Sequence, residues 1–394
     1  MRVSPRIQRL PPYLFLALDQ LVARERSAGR DIINLGIGDP DLPTISVAIR
    51  AMKQAVENPA WHRYPDYLGS LTFRQAIAQR YQTRFNVTLD PVDQVLGLIG
   101  SKEGLAHLTW AFAGPDDVVL VPDPAYPVYA TQARLAGATV HPMPLRPQRK
   151  FLPDLDAIPD AILQRTSMLW LNYPNNPTGA TAPLEFYRDA VALCRDHDIL
   201  LCSDLAYAEI GFGGYQAPSV LMVDRAEEVA IEFYSLSKTF NMTGWRIAAA
   251  VGAKDAIHAL GSLKSHLDSG PFTAIQEAAV AALSDNPDAF IRDLNGVYEG
   301  RRARAISALQ AMRLLGDVPA GGFYVWFHTP NGMSSTAAAE FFIKESGVAL
   351  APGNAYGSQG EGWLRLSLTI SDDLLDEALL RMQEALTRFH HGSW

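Results

Sequence analysis

The sequence predicts an α/β fold in which a mostly parallel sheet lies between layers of helices, with a smaller α+β domain attached. Two patterns carry that expectation. Up to residue 285, short apolar runs alternate with helical stretches, the order that builds parallel sheets. After Ser284-Asp285-Asn286-Pro287 the texture changes to one long polar helix followed by separate strand-like segments. No internal repeat, low-complexity tract or flexible linker interrupts the 394 residues.

In chain order, residues 2–31 read as an arm and entry helix. Strands are expected at 95–99, 118–121, 168–171, 199–201, 229–234 and 247–251, each an apolar run of the kind found in strands buried on both faces. Helices are expected at 71–84, 105–112, 183–197 and 275–283 from their longer amphipathic spacing. A polar helix over 289–312 then leads to Gly321-Gly322-Phe323-Tyr324-Val325-Trp326-Phe327 and to 363–368. These boundaries divide the chain into an N-terminal arm and part of the small domain (1–43), a large domain (44–285) and a small C-terminal domain (286–394).

The chemistry is concentrated in Ser235-Leu236-Ser237-Lys238-Thr239, with Arg246 eight residues after the lysine. A lysine that bonds to an aldehyde cofactor must serve as a nucleophile and later as a base. The hydroxyls and guanidinium beside it suit a phosphate dianion. Together they point to pyridoxal 5'-phosphate (PLP); a solvated turn is the plainer alternative. Four further segments supply complementary parts. Asp204, in Cys202-Ser203-Asp204-Leu205-Ala206-Tyr207, follows an apolar run and could pair with a protonated pyridine nitrogen, or else cap a helix. Tyr207 could donate its phenol to the ring oxygen. Asn172-Tyr173-Pro174-Asn175-Asn176-Pro177-Thr178-Gly179 is a tight turn that could hold an amide against the same oxygen. Gly100-Ser101-Lys102-Glu103-Gly104 joins a strand to a helix, where free N–H groups and the helix dipole favour an anion. Arg365 lies inside the apolar segment Trp363-Leu364-Arg365-Leu366-Ser367-Leu368. Its buried charge requires a partner, either a substrate carboxylate or an internal acid.

In this order the motifs, with Asp123-Pro124-Ala125-Tyr126-Pro127-Val128-Tyr129, resemble those of the fold-type I PLP-dependent aminotransferases of class I/II, over residues 32–368. Within that family, Asn34-Leu35-Gly36-Ile37-Gly38-Asp39-Pro40, the Ser101 turn and Asn241-Met242-Thr243-Gly244-Trp245-Arg246 resemble the LL-diaminopimelate aminotransferases most closely. The resemblance implies a seven-stranded sheet and a homodimer with composite active sites. It implies that Lys238 bonds to the cofactor and carries the proton, with Asp204 at the pyridine nitrogen. Tyr207 and Asn176 would meet the ring oxygen, and Tyr126 would stack on the ring. Ser101, Lys102, Ser235 and Arg246 would hold the phosphate, joined by Tyr64 (or the nearby Tyr67) from the neighbouring subunit. Arg365 and the Gly38 backbone would bind the substrate α-carboxylate, and Tyr13 and Lys102 its distal group. The loop 268–271, where relatives place a substrate contact from the partner, has no clear counterpart. The implied reaction is transamination of LL-2,6-diaminopimelate with 2-oxoglutarate in lysine biosynthesis. The alternatives are a broad aspartate or alanine aminotransferase and a carbon–sulfur lyase of the same fold.

Composition is that of an ordinary globular enzyme, 48% hydrophobic and 19% charged. A net charge of −8 offers no basic surface for nucleic acid. Cys194 and Cys202 fit neither a disulfide framework nor a zinc pattern, and no metal is expected. The first residues lack the apolar core of a signal peptide, and no apolar run approaches a membrane span. A cytoplasmic enzyme acting on small amino and keto acids is the expectation.

Overall fold

The computed structural model of the chain describes residues 1–8, 10 and 14–390. Its strands, in chain order, are β1 (Ile33–Asn34), β2 (Val95–Leu98), β3 (Val118–Asp123), β4 (Thr139–Pro144), β5 (Thr166–Leu171), β6 (Leu200–Asp204), β7 (Ala230–Ser235), β8 (Ala248–Gly252), β9 (Tyr324–His328), β10 (Val348–Ala349), β11 (Ala351–Pro352) and β12 (Trp363–Ser367). Seven of them form one sheet in the order β2-β8-β7-β6-β5-β3-β4. Only β8 runs against its neighbours; the other pairs are parallel. The expected seven-stranded, mostly parallel sheet is present.

Both faces of the sheet are covered, which is why its inner strands are largely apolar on both faces instead of alternating, the edge strand β4 being the exposed one. Val118, Leu120, Leu169 and Leu171 enter one core with the helices Leu71–Phe85, Leu184–Asp196 and Thr273–Ser284. Val119, Val121, Met168 and Trp170 enter the opposite core, against Ser101–Phe112, Val128–Ala136 and Lys254–Ser265. The period-two alternation of Cβ directions sends neighbours along one strand to opposite layers.

The remaining strands belong to a second layer. β11, β12 and β9 make a three-stranded antiparallel sheet, and β1 pairs in parallel with β10. The helices Pro287–Ala311, Ser335–Glu345 and Asp372–His390 pack on these strands through Tyr298, Leu309, Phe342, Leu379 and Met382. The N-terminal strand β1 is therefore stitched to residues more than three hundred positions away, and it carries the following segment, Gly36 to Asp39, to the carboxyl ends of the large sheet.

Candidate active site

Three neighbouring parallel strands, β5, β6 and β7, end at Leu171, Asp204 and Ser235. Ligands in open α/β sheets bind beyond such ends. A cavity of about 460 Å³ opens there, lined by residues from each following turn. It gathers Gly38, Ser101, Lys102, Tyr126, Asn176, Asp204, Tyr207, Ser235, Lys238 and Arg246 from seven separate stretches of sequence.

Lys238 rides on the one-turn helix Leu236–Thr239, whose first turn is capped by Ser235 Oγ accepting from Ser237 N at 3.2 Å. Its Nζ donates to the Gly38 carbonyl at 2.9 Å. Desolvation lowers the amine's pKa to about 8, the Arg365 and Arg246 charges add to the effect, and Asp39 opposes it. The result is a lysine that gives up its proton far more readily than an ordinary one, as a nucleophile requires.

Asp204, the last residue of β6, also lines the cavity. Tyr129 Oη donates to its Oδ2 at 2.7 Å, while Oδ1 is buried without a hydrogen-bond partner. Burial raises the carboxyl pKa to about 6, against the Tyr129 hydroxyl and the Ala206 N–H, which pull it down. A desolvated carboxylate with one open oxygen is a site for a cationic N–H donor.

The turn after β5 is rigid because its amides bond one another. Asn172 Nδ2 donates to Asp204 O at 2.7 Å, Asn172 Oδ1 accepts from Asn176 N at 2.9 Å, and Asn175 Oδ1 accepts from Thr178 Oγ1 at 2.7 Å. Asn176 Oδ1 accepts from Arg365 Nη1 at 2.8 Å. Tyr207 donates its hydroxyl to that of Tyr324 at 3.2 Å.

The anion end lies at the start of the helix Ser101–Phe112. Ser101 Oγ is buried and has no hydrogen-bond partner. Gly100 has φ +76°, and a Cβ there would collide with the Arg246 guanidinium, so glycine is required both for the turn and for the close approach of that cation. Arg246 Nη1 is itself held by the Thr243 carbonyl at 2.7 Å. Tyr126 supplies an aromatic wall, with Lys102 Nζ 5.9 Å from its ring centre. An orphaned hydroxyl, a helix N-terminus and a guanidinium, an amine, and a carboxylate oxygen without a partner share one cavity and suit the phosphate, aldehyde and pyridine nitrogen of PLP. The donor set fits the cofactor.

Other residues lie elsewhere. Arg365 does not line the cavity: it is fully buried, donates through Nη2 to the Gly36 carbonyl at 2.6 Å, and stacks its Cζ 3.9 Å from the Tyr324 ring centre. Tyr64 and Tyr67 are 88% and 49% exposed and stand outside the cavity. Tyr13 lies outside the described residues. The loop 268–271 packs on the tyrosine loop, since a Cβ on Gly270 would press on the Asp66 carbonyl at 2.7 Å. Behind it, Glu103, His107 and Asp268 offer ligand atoms within 4.8 Å of one another. That cluster already holds a cation of its own, because the buried Lys264 Nζ donates to Glu103 at 3.3 Å and to Asp268 at 2.7 Å.

Two site residues had no separate signal in the sequence. Tyr129 ends the Asp123 to Tyr129 motif, but only its stacking on Trp170, 5.0 Å between centres, aims the hydroxyl at Asp204. Tyr324 reads as one more apolar position of a strand; its hydroxyl reaches the site because Gly38 leaves room that a Cβ would occupy.

The fold and this donor set define a PLP-dependent enzyme, and the chain matches the aminotransferase class I and II family over residues 30–382. It belongs to that family. Among curated relatives, the LL-diaminopimelate aminotransferase of Nitratidesulfovibrio vulgaris strain DP4 is 48% identical over 382 residues, covering 97% of this chain and 98% of that one. A protein of the same name from Dehalococcoides mccartyi is 46% identical with the same coverage. Among solved structures, substrate-bound BacF from Bacillus subtilis superimposes with a TM-score of 0.94 at 35% identity, covering 98% of both chains.

Proposed function

We propose that this aminotransferase converts LL-2,6-diaminopimelate and 2-oxoglutarate to tetrahydrodipicolinate and glutamate. The observation that carries the substrate is near-half identity, over almost the whole of both chains, to relatives named for that activity. PLP, when bound, supplies an aldehyde that takes up the substrate amine and a ring that accepts the electron pair released at the α-carbon.

The residues divide that work. Lys238 Nζ would act as the base at the substrate α-carbon and carry that proton, a role its lowered pKa suits. Asp204, whose Oδ1 has no hydrogen-bond partner, would hold a negative charge for the pyridine nitrogen. Tyr126 would pack on the ring, and Tyr207 with Asn176 would meet the ring oxygen; all three line the cavity. Ser101, the backbone of Lys102, Ser235 and Arg246 hold the phosphate. Arg365, whose guanidinium stacks on the cavity-lining Tyr324, and the Gly38 backbone take the α-carboxylate, first of the donor and then of 2-oxoglutarate. Lys102 and Tyr13 are the residues proposed to recognise the distal group.

Diaminopimelate carries a second amino-acid group, so its pocket must satisfy an ammonium and a carboxylate far from the reacting carbon. Aspartate leaves those groups unpaired, and unpaired buried polar groups discriminate strongly. The LL isomer is therefore expected to exceed aspartate, alanine and the meso isomer by more than ~10-fold in kcat/KM, about 1.4 kcal/mol. Initial rates with each amino acid at fixed 2-oxoglutarate measure this. Equal or better turnover of aspartate or alanine would leave the broad-specificity reading in its place.

The exposed Tyr64 and Tyr67 suit a two-fold dimer in which a tyrosine of one subunit completes the phosphate site of the other. Mixing inactive Tyr64→Phe and Lys238→Ala proteins under conditions of subunit exchange should then restore part of one site's activity, since one site of each mixed dimer is intact. Restoration absent with Tyr64→Phe but present with Tyr67→Phe assigns the second tyrosine. Full activity in a monomer contradicts a shared site.

A further inference from the structure

We propose that Asp123 is a positioning residue that holds the Arg365 strand in register with the cavity. It is the last residue of β3 and nearly buried, 9% exposed. Its carboxylate reaches across to the second layer: Oδ2 accepts from Ser358 N at 3.1 Å and from Ser358 Oγ at 2.7 Å, and Oδ1 accepts from Gln359 N at 3.0 Å. Charge-assisted bonds of this kind are the strong ones. A fourth tie runs beside them, from Ala125 N to the Tyr356 carbonyl at 2.9 Å.

The two ends of this fastening are the two halves of the site. On one side, Asp123 is three residues before Tyr126, which walls the cavity. On the other, the fastened turns Gly353–Tyr356 and Ser358–Gly360 follow directly from β11, whose Ala351 is paired in register with Arg365. Tyr356 from the same turns places its ring 5.0 Å from the Arg365 Cζ. Gly357 completes the fit: at φ +141° it lies so close to Asp123 Oδ1 that a Cβ would collide with it. Asp123 therefore sets where Arg365 sits relative to Tyr126, while touching neither substrate nor cofactor.

The inference rests on the reading of Arg365 as the carboxylate site. Its test uses glutarate, an unreactive five-carbon dicarboxylate, titrated into holoenzyme and followed by the cofactor's visible absorption, with PLP affinity measured on the apoenzyme in parallel. Asp123→Ala, and independently Gly357→Ala from the other side of the contact, should each raise the glutarate Kd by at least ~10-fold, because small misplacements of an oriented group are costly. PLP affinity should change by less than ~2-fold, since the phosphate donors are on other elements. The double variant should be little worse than either single one, because both remove the same fastening. Ser358→Ala, which deletes one of the bonds and leaves the fold intact, should act in the same direction more weakly, so a poorly folding Asp123→Ala does not end the test. Glutarate binding unchanged in the variants, or lost in step with PLP binding, overturns the inference. A wild-type holoenzyme that binds no glutarate, or an Arg365→Lys variant that binds it normally, overturns the carboxylate reading of Arg365 and this inference with it.

Discussion

Replacing Lys238 with alanine is expected to lower kcat by at least ~10⁴-fold, the upper range for loss of a positioned general base, because the same nitrogen also bonds the cofactor. The structure makes this amine hard to replace. It sits on a single capped turn, is oriented by the Gly38 carbonyl, and has a pKa lowered to about 8 by burial. Ser235, Ser237 and Thr243, beside it in the cavity wall, carry no basic nitrogen, and the other lining amine, Lys102, belongs to the separate helix Ser101–Phe112. The phosphate donors are untouched, so the variant should still bind PLP while lacking the absorption of the enzyme-linked form. The pH dependence follows from the same amine. A lysine whose pKa is lowered is neutral above about 8 and protonated below it, so PLP uptake by wild-type apoenzyme should quicken with rising pH through about 8 and then level off. A rate still climbing toward the ordinary lysine value of 10.5 would place another group in this role.

Asp204→Asn is the second large effect, with kcat/KM expected to fall on the order of 10²–10³-fold, the scale for deleting one preorganised electrostatic partner of a developing charge. Asparagine preserves size and can still accept the Tyr129 bond, so folding should survive. What it removes is the negative charge of a cavity-lining carboxylate whose Oδ1 has no hydrogen-bond partner. The carboxyl pKa of about 6 supplies a check on wild type: as pH falls through 6 the group protonates, and apoenzyme affinity for PLP should fall with it. Tyr129→Phe removes a bond that lowers that pKa, so the loss should begin at higher pH. Unaltered kcat/KM in Asp204→Asn would mean that the carboxylate serves only to hold Tyr129 and its neighbours.

Much of this site was legible because its parts sit where secondary structure changes. β5, β6 and β7 announced themselves as apolar runs, since each is buried on both faces. β6 and β7 nevertheless extend to polar Asp204 and Ser235, one to three residues beyond the apolar runs, because strand ends at the cavity carry the chemistry. The helix expected from 105 begins at Ser101 for a similar reason: its first turn is polar where it meets the anion end. β4 has no apolar run to mark it, because Thr139–Pro144 contains two prolines and is largely exposed, a composition tolerated only at the sheet's edge. Nor does any local pattern reveal that Arg365 lies behind Tyr324, or that Asp204 shares its oxygen with Tyr129; those facts come from packing between distant segments.

Transamination of LL-diaminopimelate is tested most directly by a half-reaction. Holoenzyme is mixed with excess LL-diaminopimelate without any keto acid, while the cofactor spectrum and the products are followed together. Transamination requires loss of the enzyme-linked absorption, about one keto product per site and then a halt, because the amine form has no acceptor; added 2-oxoglutarate should restore the spectrum with release of one glutamate per site. Continued product formation without an acceptor would contradict transamination, and a spectrum changed by aspartate or alanine but not by LL-diaminopimelate would contradict the substrate.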